Sequence, residues 1–211
     1  MRRKLIVLVA DLIGSSSIRH RDLSQRKLVE AYQQINEIYK KDFYAPIKIT
    51  RGDEIAGVLQ QSDNLYRIAD SINEMVYPVR LRFVFVKELL TAGLNTRDAA
   101  IIDGPAFKIA GELLLRVKME KKDFVFNLGN LILDDILTTL SNLLSVIKND
   151  WTEKQRKVVK LYHELKNQSE LADKLGVSQQ NIAKTLKSVD WLKVQEAEEA
   201  LNRLLKNYNR Y

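Results

Sequence analysis

The 211-residue sequence contains no cysteine, which excludes disulfides, thiolate metal centres and a cysteine nucleophile. It has only two histidines, His20 and His163, too few for a multi-histidine metal site. A metal would therefore rest on carboxylates, the donors of hard ions such as magnesium or manganese. Long apolar runs are missing as well. The longest apolar region, residues 130–147, is broken by Asp134, Asp135 and several hydroxyls, so nothing approaches the roughly 20 apolar residues of a membrane span. The opening MRRKLIVLVAD reads as a strand rather than a signal peptide, because Asp11 interrupts it and no small-residue cleavage pattern follows. The expectation is a cytoplasmic protein with no membrane partner.

What is present is an apolar content of 45%, ample for a packed core, and a net charge of +7 that favours an anionic partner. Over the first 129 residues, strand-like and helix-like periods alternate. KLIVLVA (4–10) is a continuous apolar run suited to a central strand buried on both faces. A helix follows with Leu28, Tyr32 and Ile35 on one face, and Ser24 is its expected N-cap. APIKIT and IAGVLQ flank the turn Arg51-Gly52-Asp53-Glu54 as a hairpin, and Ser62 is expected to cap a second helix. VRLRFVFV (79–86) alternates with period two, and a helix near Pro105 and a last strand, DFVFNLG, close the block. This order predicts an α+β, ferredoxin-like domain over 1–129, with its helices on one face of the sheet. A connecting helix is expected over 130–150 and an all-α domain over 151–211.

The last domain carries a specific local pattern, NQSELADKLGVSQQNIAKTLKSVD. A helix-turn-helix needs a small residue at the helix crossing, a glycine in the turn and apolar anchors on both helices. Ala172, Gly176 and the set Leu171, Leu175, Val177, Ile182 and Leu186 meet those needs. With Ser178 as N-cap, Gln179, Gln180, Asn181, Lys184, Thr185 and Lys187 lie on or near the outer surface, in residue types suited to DNA. From Trp151 to Tyr211 there are 12 Lys and Arg against 8 Asp and Glu, so more than half of the net charge lies in under a third of the chain. The pattern resembles the DNA-reading region of sigma factors and related regulators. The same three-helix shape also serves protein docking and dimerisation.

Two acids of the first domain stand out. Asp11 ends the first apolar run and Asp53 sits in the hairpin turn, so the ferredoxin-like order could bring them face to face across neighbouring strands. Paired carboxylates repel, and a divalent cation resolves that repulsion while seating a triphosphate. Gly52 permits the tight turn, and Gly14 with Ser15, Ser16 and Ser17 makes an amide-rich loop ahead of a helix. Arg19, Arg21 and Arg51 could complete a nucleotide site. Asp11 as a strand-end cap and Asp53 as a plain turn residue are the simpler alternatives.

VLVADLIGS with GDEIAG is similar to the paired metal-binding motifs of class III nucleotide cyclases and, more distantly, of GGDEF-type palm domains. ADLIGS, IRHR, TRGDEIAGVLQ and DGPAF, in that order and ahead of the helix-turn-helix pattern, resemble the SatD family over nearly the whole chain. The resemblance implies a cyclase-like domain joined to a DNA-binding one. Where cyclases carry an Asn and an Arg, alignment on Gly104 places Lys108 and Glu112, and Gly111 and RFVFV also depart from the expected patterns. A Glu where a cation would stabilise developing phosphate charge favours binding over catalysis. The leading expectation is a DNA-binding regulator, a homodimer whose first domain senses a ligand or dimerises. The alternative is a magnesium- or manganese-dependent nucleotide cyclase or nucleotidyl transferase acting through Asp11 and Asp53.

Overall fold

The computed structural model describes residues 3–14 and 21–208, with side chains for 3–14 and 24–208. Its chain divides into two compact units, Met1–Ser141 with Asn202–Tyr211, and Asn142–Leu201.

The first unit is a five-stranded sheet in the order β2-β3-β1-β4-β5. The strands are β1 (Arg3–Leu12), β2 (Phe43–Arg51), β3 (Glu54–Leu59), β4 (Leu81–Leu90) and β5 (Phe124–Asn127). The continuous apolar run of β1 places it in the middle, antiparallel to both β3 and β4, with Leu5 through Leu12 all buried. β5 joins β4 in parallel through the crossover helix α3 (Pro105–Glu120).

Alternation along the strands sorts the core into two layers. Val7 and Val9 of β1, Ala56 and Val58 of β3, and Val84 and Val86 of β4 pack with Ala106, Ala110, Leu114 and Val117 of α3. Phe83 and Phe85 point to the other face, where α1 (Arg21–Ile38) and α2 (Leu65–Val76) pack against each other and contribute Leu28, Ile35, Ile68 and Ile72 to the core. The rings there stack, Phe85 on Phe126 at 4.9 Å and Phe83 on Phe124 at 5.8 Å between centroids. Helices therefore cover both faces, not one, because α3 returns across the sheet to place β5.

The α+β class and the element order match the sequence expectation, with local corrections. Ser24 is buried inside α1, which starts a turn earlier at Arg21, and so it is not an N-cap. α2 begins after Asn64, and Ser62 instead donates its hydroxyl to the Leu205 carbonyl at 2.7 Å. β4 runs on to Leu90 because Lys87 through Leu90 keep pairing with Arg3 through Ile6.

The second unit holds α5 (Glu153–Leu165), α6 (Gln168–Leu175) and α7 (Gln179–Ser188), with the ends of α4 (Leu131–Asn149) and α8 (Trp191–Asn207). Each of α5, α6 and α7 starts at a side-chain cap: Thr152 in a reciprocal capping box with Gln155, Asn167 accepting from Ser169 and Glu170, and Ser178 accepting from Asn181. Gly176 closes α6 in the left-handed region at φ 64°, where a Cβ would be strained. Leu171, Ala172, Ile182 and Leu186 are buried. Among the described residues no helix is long and apolar enough to cross a membrane.

Candidate functional site

The register of the central strands fixes a row of charges at one end of the sheet. β1 meets β3 with Asp11 opposite Glu54, and β4 with Asp11 opposite Arg82. Asp11 follows Val7 and Val9 at even spacing, Glu54 precedes Ala56 and Val58, and Arg82 precedes Val84 and Val86, so all three lie on the face that α3 covers. α3 completes the row. Its Val117 seals the apolar layer, and the adjacent Lys118 places Nζ 2.9 Å from Asp11 Oδ2.

The hairpin closes with a two-residue turn. Arg51 pairs with Glu54, leaving Gly52 and Asp53 as the central residues. Gly52 at φ 59° has the positive value that a tight hairpin requires at the first central position. The two-residue loop makes Glu54, not Asp53, the first ladder residue, so Asp11 faces Glu54 across the strands and Asp53 lies one residue beyond. Arg51 and Gly52 are exposed, as is Gly14, whose φ is 70°. Ser15 and Arg19 lie outside the described residues, and Arg21 begins α1 with its side chain outside them.

Three features show electrostatic tension. Asp11 is 9% exposed, yet it neighbours a second carboxylate. Burial and then the Asp11 charge push the Glu54 carboxyl above its ordinary value, while Lys118, the Thr50 hydroxyl and Arg51 pull it back. Oδ2 of Asp53 and Nε of Arg82 are both buried without a hydrogen-bond partner among the described residues. A buried acceptor and a buried donor left unmatched at one end of a sheet cost stability and invite a ligand that brings a cation and an anion.

Sequence reasoning singled out Asp11, Asp53 and the hairpin, and missed Lys118 and Arg82. The available signal for Lys118 was its position one residue after Val117 and four after Leu114, at the edge of the buried stripe of α3. For Arg82 it was the period-two alternation that sets it on the Val84 and Val86 face. Lys108 and Glu112 are both exposed on α3.

Residues 5–202 match the family model described as the SatD family. The chain belongs to the SatD family. No curated protein matches it. Among solved structures, this SatD-family chain is similar to a bacterial light-regulated adenylyl cyclase, at 11% identity over 60% of this chain and 76% of the other, with a TM-score of 0.47. It is also similar to the catalytic core of a rhodopsin-guanylyl cyclase with converted specificity, at 19% identity over 55% and 73%, TM-score 0.43. A third is the adenylyl cyclase CyaB from P. aeruginosa, at 19% over 55% and 73%, TM-score 0.36. Likeness of this depth concerns the course of the chain and not what it catalyses.

The expectation of a DNA-binding regulator is corrected: no comparison supports DNA binding, and the solved structures named above are nucleotide cyclases, a likeness of fold alone. The physical reason lies in the C-terminal helices. Asn167, Gly176 and Ser178 are used in capping and turning three short helices, and any such unit needs them whether or not it meets DNA. Gln179, Gln180, Asn181, Lys184 and Lys187 are exposed on α7, and the half-buried Thr185 donates its hydroxyl to the Asn181 carbonyl at 2.8 Å. Polar residues on the outer face of a short helix are the ordinary condition of a solvated surface.

Proposed function

We propose that the sheet unit is a nucleotide cyclase-like site that takes a nucleoside triphosphate with a magnesium or manganese ion and supports attack of a hydroxyl oxygen on the α-phosphorus, the new P–O bond replacing the bond to departing pyrophosphate and the hydroxyl proton passing to water. The observation that carries this reading is the buried, unpartnered Oδ2 of Asp53 beside the register-locked pair Asp11 and Glu54. A buried carboxylate oxygen lacking a proton donor is a seat for a cation.

The donor set fits the ion. Among the described residues no group of three or more His, Cys, Asp or Glu could hold a metal. Magnesium, however, is commonly held by one or two carboxylates with substrate phosphates and water completing its shell. Asp11 and Asp53 would be those carboxylates. When bound, the ion would neutralise phosphate charge and polarise the phosphorus centre.

The chain's own residues supply the rest. Arg82 offers its unmatched Nε to a phosphate oxygen, and Arg51 stands at the exposed rim of the hairpin. Gly52 lets backbone amides of the turn approach the ligand without a Cβ in the way. Lys118 pairs with Asp11 in the free protein and, with an ion held by Asp11, would be free to meet the triphosphate. The exposed Leu115 and Met119, on the side of α3 turned away from the sheet, offer apolar surface to a second copy of the chain, as a homodimer.

The test is pyrophosphate release from each of the four nucleoside triphosphates with magnesium and with manganese. The reading predicts release from at least one triphosphate, abolished by Asp11→Ala and by Asp53→Ala. Silence from all four with both metals, together with no metal-dependent triphosphate binding, would refute it.

A further inference from the structure

α4 carries its apolar surface on the wrong side for a solvated helix. One stripe of it, Asp134, Leu137, Ser141, Leu144 and Lys148, is buried, and three of those five side chains are polar. Asp134 accepts from the Leu128 and Gly129 amides, and Lys148 pairs with Glu198 at 2.7 Å, so polar groups are used for internal contacts. The opposite stripe, Ile132, Ile136, Thr139, Leu143 and Val146, is left in water, with its four aliphatic side chains between 42% and 74% exposed. A helix facing only solvent shows the reverse order.

The outward stripe has the form of a helix-pairing seam. Its members are four and three residues apart in turn, the spacing of a coiled coil, and α4 is unbroken from Leu131 to Asn149, so they line one side of a helix roughly 28 Å long. The half-buried Leu133, Leu140 and Ile147 border the seam on one side, and Asp135, Asn142 and Asn149 on the other. No lysine or arginine stands in either border. A helix lying on an anionic lipid surface needs that basic border, and a strongly charged partner would need matching charges. A second identical seam needs neither. Covering the seam withdraws roughly 500 Å² from each copy and about 1,000 Å² from the pair, the size at which specific interfaces begin.

We infer that α4 pairs antiparallel with α4 of a second copy of the chain, with the two-fold axis beside Thr139. The seam is symmetric about that residue: turned end for end, Ile136 meets Leu143 of the second copy and Ile132 meets its Val146. Each helix N-terminus then lies beside a C-terminus, so the dipoles attract. The contact is separate from Leu115 and Met119 of α3, and it does not rest on the nucleotide reading of the sheet unit.

Because the full chain has no cysteine, single cysteines report this contact without background. Thr139→Cys would be treated with a short bismaleimide at about 100 µM chain, a concentration suited to the micromolar affinity of a small interface, beside Gln180→Cys on the exposed face of α7 as the control. The expected yield of linked dimer is at least about tenfold higher for Thr139→Cys. Ile132→Cys should not link to itself, since antiparallel pairing holds its two copies about 20 Å apart. Adding Leu143→Glu, an exposed substitution whose fold circular dichroism checks, should cut the Thr139→Cys yield by about tenfold, because symmetry places the charge in the seam twice, whereas Leu143→Met should preserve it. Equal yields from Thr139→Cys and Gln180→Cys, an unchanged yield with Leu143→Glu, self-linking of Ile132→Cys, or a monomeric chain that sediments with phosphatidylglycerol vesicles would each overturn the assignment.

Discussion

The two units use their polar residues in opposite ways. In the sheet unit, Asp11, Glu54, Asp53 and Arg82 are brought by strand register to one end of the sheet and are partly or wholly withdrawn from water, with two atoms left unmatched. In the helical unit, the residues that looked most functional are spread over exposed helix surface or are consumed as caps. Among the described residues there, the indole Nε1 of Trp191 is buried without a hydrogen-bond partner. The difference shows that a polar residue's type says less about function than whether folding has satisfied it. Capping satisfies a residue; burial without a partner does not.

The comparison can be broken at several points, beginning with the sheet itself. Phe85→Ala should destabilise the sheet unit by about 3–5 kcal/mol, since its fully buried ring stacks on Phe126 and truncation leaves a cavity under the central strands. Urea unfolding followed by circular dichroism measures it, and a loss below about 1 kcal/mol would mean that the aromatic layer is not the core described.

Charge reversal of effect is the next test. Lys118→Met removes the partner of a 13% exposed Asp11 side chain while Glu54 stays beside it. Without metal the variant should lose about 1 kcal/mol, the discount reflecting that Lys118 itself is partly solvated. With manganese it should gain, because the ion no longer competes with an ammonium group. Metal affinity by calorimetry should rise about tenfold, corresponding to roughly 1.4 kcal/mol. Equal affinity in wild type and variant would separate Lys118 from the metal position.

In the helical unit the expected effects are smaller and structural. Ser178→Ala should cost about 1 kcal/mol through loss of its bond to the Asn181 amide, and Gly176→Ala should cost a similar amount because a Cβ is strained at φ 64°. Gln180→Ala, on the exposed face of α7, should change stability by less than about 0.5 kcal/mol. A loss near 2 kcal/mol for Gln180→Ala would show that this face is engaged in packing rather than solvated.

Much of the fold was legible because local signals agreed with the global one. The apolar run of β1 announced a central strand, and the Arg51-Gly52-Asp53-Glu54 turn announced a hairpin. Asp11 and the hairpin drew notice in the sequence because acids at strand ends have no role in a core. The pairing of Asp11 with Glu54 was not legible, since it depends on the turn containing two residues, and a shift of one residue exchanges the faces of the strand. Lys118 is over a hundred residues from Asp11 in sequence and meets it only because α3 crosses back over the sheet. The DNA reading failed for the opposite reason: its signals were local, and local signals specify helix ends.

The central claim is that Asp53 is held short of a partner so that it can take a cation. Thermal unfolding of wild type and Asp53→Asn, each with and without manganese and a nucleoside triphosphate, tests it most directly. The account predicts that metal and nucleotide together raise the wild-type midpoint, that Asp53→Asn abolishes this rise, and that the metal-free variant is at least as stable as wild type because a like charge has been removed. A wild-type midpoint that ignores both ligands, with a destabilised Asp53→Asn, would show instead that Asp53 only shapes the hairpin.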